Sequence, residues 1–303
     1  VASNEPTVAA ENSRPSRLPL ILALLAVYLI WSSTYLANKL VLQAFGPMLL
    51  GAIRFAIAGS ILVAIHAIQR GRRPTRQELL GAIPVGLLMF VVGNGFLAFA
   101  QRHVTSGTAA IVAATTPLWA AILGPIFGDR ARAAEWFGLA LGMAGVVVLG
   151  LRAELGGDPM MVLCLLVSPI GWALGSLLSR RLPVAPGLAG PASHMLVGAL
   201  GMGLIAFVNG DTLPSAAPTD VVLLIAYLIV FGSLLGYTAF TWLLRNTRPA
   251  LALSYSYVNP VLAVALGVAI GHEPLELATV VAALMLVVAV ILVVRASAAR
   301  SRH

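Results

Sequence analysis

Ten apolar runs follow one another along this 303-residue chain, each long enough to cross a bilayer, and the arginines gather in every second gap between them. A helix of about 20 apolar residues spans the hydrocarbon core. The runs are Leu18–Leu42, Met48–Ile68, Leu79–Ala100, Thr105–Phe127, Ala134–Leu151, Met160–Ser179, Gly187–Val208, Val221–Leu244, Ala250–Gly271 and Leu275–Val294. In lipid every backbone N–H and C=O needs an internal partner, so such runs fold as helices. A transmembrane β-barrel would instead show short segments of alternating apolar and polar residues. Hydrophobic residues make up 59% of the chain and charged residues 10%, against roughly 25% charged in a soluble domain. The predicted fold class is therefore all-α integral membrane, with ten transmembrane helices.

The charge pattern sets an orientation. Of the 19 Lys and Arg, 15 fall before the first run, after the tenth, or in the even-numbered gaps. They include Arg70, Arg72, Arg73 and Arg76, the pair Arg180 and Arg181, and Arg295. Basic loops stay in the cytoplasm, so both termini are expected there, with the chain in the inner (plasma) membrane of a bacterium. The net charge of +8 then reflects orientation and anionic lipid. The basic loops are short and carry no interleaved aromatics, which argues against nucleic acid as a partner. The lipid bilayer and a small-molecule substrate are the expected partners. The stretch before Arg17 is polar and reads as a disordered tail. The first run is too long for the h-region of a cleaved signal peptide. Cys164 is the single cysteine, so no intrachain disulfide or Cys-based metal site forms; no metal site and no cofactor is expected.

The chain also repeats itself. Gly95-Phe96-Leu97-Ala98-Phe99 returns 141 residues later as Gly236-Tyr237-Thr238-Ala239-Phe240. Thr115-Thr116-Pro117 returns around Val258-Asn259-Pro260, and Trp31 and Trp172 hold the same relative place. The expected organisation is a tail over 1–17, a five-helix repeat over 18–151, a second over 160–294 and a tail over 295–303. An odd number of crossings turns the second repeat upside down. Inverted repeats are a transporter architecture, with substrate bound near the midplane where they meet.

Polar side chains inside apolar runs mark where a substrate sits, because polar groups facing lipid are costly. Tyr28, Trp31, Tyr35 and Asn38 share one helix face, and Ser168, Trp172, Ser176 and Ser179 form a similar stripe. Asn94 and Gln101 lie a heptad apart; Tyr237 pairs with Thr241, and Tyr255 with Asn259. Of these, Trp31, Tyr35, Asn94, Trp172, Ser176, Tyr237, Tyr255 and Asn259 are the expected cavity residues. The competing reading is hydrogen bonding between helices, common for Ser, Thr and Asn in membranes. Pro117 and Pro260 fall mid-run, where each removes a backbone donor; they are the expected helix breaks and gating points. Gly138, Gly142 and Gly145 permit close helix approach, with dimerisation one use; the oligomeric state stays open. Every Asp and Glu lies in a loop or at a run's end, as Glu135 and Glu276 do, so a buried carboxylate for carrying protons is missing. His194 is the best embedded titratable group, either a structural histidine or a coupling site. Arg54 lies near one end of its run, where it either snorkels to the interface or attracts a substrate carboxylate.

These residues resemble a known family. Trp31-Ser32-Ser33, Arg54-Phe55, Ala98-Phe99-Ala100-Gln101 and Thr105-Ser106-Gly107-Thr108-Ala109-Ala110 leading to Pro117 match the ten-helix EamA type of drug/metabolite transporter. So do Gly138, Gly142 to Gly145, Gly236-Tyr237, Ala239-Phe240, Ala250 to Pro260 and Glu273-Pro274. The resemblance covers nearly the whole chain past Leu18. Asp129 departs from it, standing where the family often has Glu. The resemblance implies alternating-access transport of small metabolites, often amino-acid export, with the YddG-like aromatic amino-acid exporters a near relative. Two alternatives stay open: proton-coupled export of other metabolites or drugs, and an intramembrane enzyme. Against the enzyme, the chain has no H-E-x-x-H and no G-x-S-x-G.

Overall fold

The computed structural model describes residues 17–128, 133–150, 158–214, 217–247 and 252–300. Among these residues the chain is helical and contains no strand. Seven helices are long and apolar enough to cross a membrane: α1 (Leu18–Val41), α2 (Pro47–Ile68), α3 (Arg76–Gln101), α4 (Ser106–Phe127), α6 (Pro159–Leu178), α7 (Ala189–Val208) and α8 (Thr219–Asn246). Three more helices, α5 (Ala133–Gly150), α9 (Tyr255–Ala269) and α10 (Leu277–Arg300), fall on the remaining apolar runs. The expected tail before Arg17, the loop residues Asp129, Arg130, Arg132, Arg152 and Arg248, and the start of the ninth run at Ala250 lie outside the described residues.

Local chemistry sets the helix ends. Thr75 opens α3 with a reciprocal cap: its hydroxyl accepts from Glu78 N, and the Glu78 carboxylate accepts from Thr75 N. This satisfies two donors that the first turn leaves free. Pro47 and Pro159 start α2 and α6, where no backbone donor is needed. A more distant cap closes α4. The Glu273 carboxylate, in the turn after α9, accepts from Ser106 N at 2.9 and 3.1 Å and from Ser106 Oγ at 2.7 Å. A carboxylate at a helix N-terminus also meets the positive end of the helix dipole.

Three helices contain stretches wider than the α-helix. Residues Ala26–Ile30 of α1, Leu87–Gly95 of α3 and Leu228–Tyr237 of α8 follow the wider i→i+5 pattern. Such wide turns are rare and concentrate at functional sites. Those in α3 and α8 begin at Leu87 and Leu228, 141 positions apart, which is the offset of the sequence repeat.

The packing has an internal regularity. Helix α2 packs on α7, α4 on α9 and α5 on α10, while α3 packs on α6 and α8 on α1. Adding five to every helix number, and counting on from ten to one, returns the same set of pairs. Association in lipid depends on close packing and small residues, because lipid tails are as apolar as Leu. Helix α5 shows this. A Cβ at Gly142 would lie 2.2 Å from Leu118 Cδ1, and one at Gly145 would lie 3.3 Å from the Ala282 carbonyl oxygen of α10. These two glycines serve close contacts within the chain.

The two prolines also differ. The α4 backbone is interrupted at Ala114 and Thr115, just before Pro117, and Thr116 Oγ1 donates to the Ala113 carbonyl at 2.7 Å. The neighbouring hydroxyl thus repairs the acceptor that proline strands. Pro260, expected as a second break, lies inside helix α9, and the interruption of its run falls farther ahead of it, at residues 253–254. That helix starts at Tyr255. Pro260 thus withholds a donor only from the first turn, near Ser256.

Candidate functional site

A cavity of about 80 Å³ (space open to water centres) lies among seven helices, α1 to α4, α6, α8 and α9. Its position follows from which stretch of each helix it touches. On α1 these are Trp31, Thr34, Tyr35 and Asn38, on α2 Arg54 and Phe55, and on α3 Phe90 to Leu97. All lie from mid-helix toward the end of the bundle with few arginines.

The structure brings Trp31, Tyr35, Asn94, Trp172, Tyr237 and Tyr255 together around this cavity. Ser176 and Asn259 stay outside the lining. Ser176 Oγ donates to the Trp172 carbonyl at 2.7 Å, and Asn259 Oδ1 accepts from Ser32 Oγ at 3.1 Å. The Ser176 hydroxyl and the Asn259 carbonyl oxygen thus make the bonds of the competing reading, while Asn259 Nδ2 is buried with no hydrogen-bond partner among the described residues. Pro117 itself is buried beside the cavity, whose wall includes its neighbour Thr116.

The aromatic residues form a connected layer. The Trp31 ring lies 5.6 Å from Trp172, 5.0 Å from Phe240 and 5.1 Å from Tyr255, centroid to centroid. Trp172 continues to Phe240 at 5.7 Å, and Tyr237 reaches Phe90 at 4.9 Å. The edge-on pairs among these, Trp31 with Trp172 and with Tyr255 and Tyr237 with Phe90, contribute about 0.5–1.5 kcal/mol each beyond their buried area. Two glycines let α8 come this close. A Cβ at Gly236 would sit 2.4 Å from Trp31 Nε1, and one at Gly232 2.7 Å from an Arg54 nitrogen. Trp31 Nε1 donates to the Gly232 carbonyl at 3.2 Å, locking the indole.

Arg54 was left between two readings by the sequence, and the structure removes the snorkelling one. Its side chain is 6% exposed and lines the cavity. Nε donates to Ser233 Oγ at 2.6 Å, Nη1 donates to Asn38 Oδ1 at 3.3 Å, and Cζ lies 4.9 Å from the Phe55 ring centre. The apolar neighbourhood of α2 gave no signal for this. The hint lay across the bundle, in the polar Asn38 and Ser233 of two other helices.

His194 does not line this cavity. It is 2% exposed, and its Nδ1 shares a 3.0 Å hydrogen bond with the Tyr237 hydroxyl. The imidazole lines a second pocket, with Ser179, Arg180, Val184, Thr241, Leu244 and Arg245. Along α8 the order is Tyr237 at the first cavity, then Phe240, then Thr241 and Arg245 at the second. The aromatic layer therefore lies between the two, and Tyr237 touches both sides of it.

A many-helix apolar bundle with a buried, partly polar cavity defines the chain as an integral membrane protein of the transporter class. Comparison with known proteins agrees. The sequence profile of the EamA-like transporter family matches residues 18–151 and again 159–295. The chain belongs to this family of membrane transporters of small molecules. It is 37% identical over 277 residues to the uncharacterized inner membrane transporter YedA of Escherichia coli K12, covering 91% of this chain and 90% of that one. An uncharacterized transporter of Archaeoglobus fulgidus is 24% identical over 280 residues, covering 91% and 98%. A chloroplastic WAT1-related protein of Arabidopsis thaliana is 25% identical over 286 residues, covering 89% and 68%. A solved crystal structure superimposes with a TM-score of 0.66 at 26% identity, covering 91% of this chain and 96% of that one.

Proposed function

We propose that the protein exports small organic metabolites, amino acids foremost, by alternating access through the central cavity. The observation that carries this is the cavity itself, built by helices from both halves of the chain and backed by an aromatic layer with a second pocket beyond it. A membrane transporter needs a site reachable from either side in turn, and a thin partition is what such a cycle moves.

The chain reads as ten transmembrane helices in two inverted repeats. The double family match, the helix pairing that maps onto itself, and the wide turns of α3 and α8 at one offset all support this. The arginine bias favours cytoplasmic termini, and likeness to an inner membrane transporter favours the same membrane here. The lining includes no Asp or Glu, the usual groups that bind a coupling ion at membrane depth. Facilitated diffusion or exchange is therefore the favoured energetics, since coupling needs an ion whose occupancy biases the two states.

The test is reconstitution of the full chain in proteoliposomes with a panel of neutral amino acids. Saturable flux above that of empty vesicles is expected, with no accumulation when a pH gradient is imposed at clamped membrane potential. Absence of flux for the whole panel would remove the amino-acid reading. Accumulation that disappears in His194→Ala would make the transporter proton-coupled through that residue.

A further inference from the structure

We propose that Arg54 is the substrate's carboxylate-binding residue, so that the cargo is a small organic acid or zwitterion with an apolar or aromatic body, and not a cation. This deepens the transport reading above and rests on it. A guanidinium stays charged at any physiological pH, and an ion taken out of water without a counter-ion carries a large desolvation penalty. Arg54 meets that condition. The Arg72–Glu78 ion pair lies on the exposed turn between α2 and α3, and no carboxylate lines the cavity. The partners of Arg54 are neutral: a serine hydroxyl, an asparagine carbonyl oxygen and the face of Phe55.

A guanidinium has five N–H donors in a planar fork. Nε and Nη1 are held by Ser233 and Asn38, which fixes the plane. Nη2 has no hydrogen-bond partner among the described residues and lies against Gly232, itself part of the cavity wall. A fixed fork with an open edge is the geometry that receives a carboxylate. The same Gly232 carbonyl anchors Trp31, so the charge and the aromatic layer meet at one backbone position. A carboxylate at Arg54 would place the rest of a small molecule against Trp31, Trp172 and Tyr255. The wall offers an ammonium group only hydroxyls, amides and ring faces. A free amine is thus tolerated and a carboxylate is required. A purely structural Arg54, tying α2 to α1 and α8, predicts no such choice between ligands.

The experiment is direct binding to the purified full chain in detergent, read by quenching of tryptophan fluorescence. The probes are phenylalanine, 3-phenylpropionate, phenylalaninamide and phenethylamine. The two carboxylates are expected to bind at least ~10-fold more tightly than the amide and the amine. Arg54→Gln should erase that preference, and Arg54→Lys should keep part of it. Equal binding of acid and amide to the wild type would overturn the proposal. So would an Arg54→Gln variant that weakens all four probes by one common factor, or a wild type that binds none of them. If Arg54→Gln does not fold, the wild-type comparison decides alone. Flux of the same probes separates this proposal from the transport reading. Binding with carboxylate preference but without flux removes the transporter and leaves the anion site. Equal flux of acid and amide removes the anion site and leaves the transporter.

Discussion

The cavity around Trp31 and the pocket around His194 lie on opposite sides of one aromatic layer, and they offer a guest different things. The first gathers seven helices from both halves of the chain, several aromatic rings and one anchored guanidinium. The second draws on α7, α8 and the turn after α6, holds Arg180 and Arg245, and has no Trp, Tyr or Phe in its wall. A chamber with rings and fixed donors suits recognition. A pocket lined by arginines and no rings suits passage. On this reading the first is where a substrate is chosen and the second is part of the way in from the arginine-rich end.

The comparison is sharpest if the two ends face different compartments. In a Cys164→Ala background, Asp211→Cys should react with an impermeant maleimide in intact cells and Arg72→Cys should not. The expected contrast is all or none, and labelling at position 72 would reverse the assignment of the pockets. The next largest effect concerns the chamber. Trp172→Ala removes a ring that touches Trp31, Phe90, Tyr237 and Phe240. Flux in proteoliposomes should fall by ~10-fold or more, while size-exclusion profiles stay those of a folded protein. Unchanged kinetics across several substrates would leave this ring as packing alone. The smallest effect tests the partition. Tyr237→Phe keeps the ring and deletes the bond to His194 Nδ1. Thermal unfolding should register a loss of ~1 kcal/mol, coupled non-additively to His194→Gln, because the two groups share one hydrogen bond. Fully additive losses would show that the hydroxyl and the imidazole do not hold the layer together.

Much of this was legible in the chain. The apolar runs locate the helices because the bilayer imposes a length and forbids unsatisfied backbone. Polar residues in such runs stand out, and the stripe Trp31, Tyr35, Asn38 on α1 does line the cavity. The reading ran out where the answer depended on a distant partner. Ser176 and Asn259 look like their cavity neighbours, but the Ser176 hydroxyl and the Asn259 carbonyl oxygen are bonded inside the protein. Arg54 looks like an interfacial arginine until Ser233, 179 residues away, appears beside it. The glycines of α5 advertise close approach without saying to what. Pro260 is written like Pro117, yet the helix containing it starts only at Tyr255, one turn earlier.

The wide turns of α3 and α8 have a further consequence. Each residue of an α-helix advances about 100° around the axis, so a face defined at one end can be followed to the other. Across an i→i+5 stretch the advance per residue is smaller, and that bookkeeping breaks. In α3 the stretch separates Arg76 to Gly86 from Phe96 to Gln101; in α8 it separates Thr219 to Tyr227 from Thr238 to Asn246. Each helix therefore carries two compass bearings joined by a seam. The bearing that meets the substrate chamber is set at the seam itself, by Gly93 and Asn94 in one helix and Gly232 and Ser233 in the other. Sliding one bonding step between wide and ordinary turns would swing one end against the other, with no helix unwound.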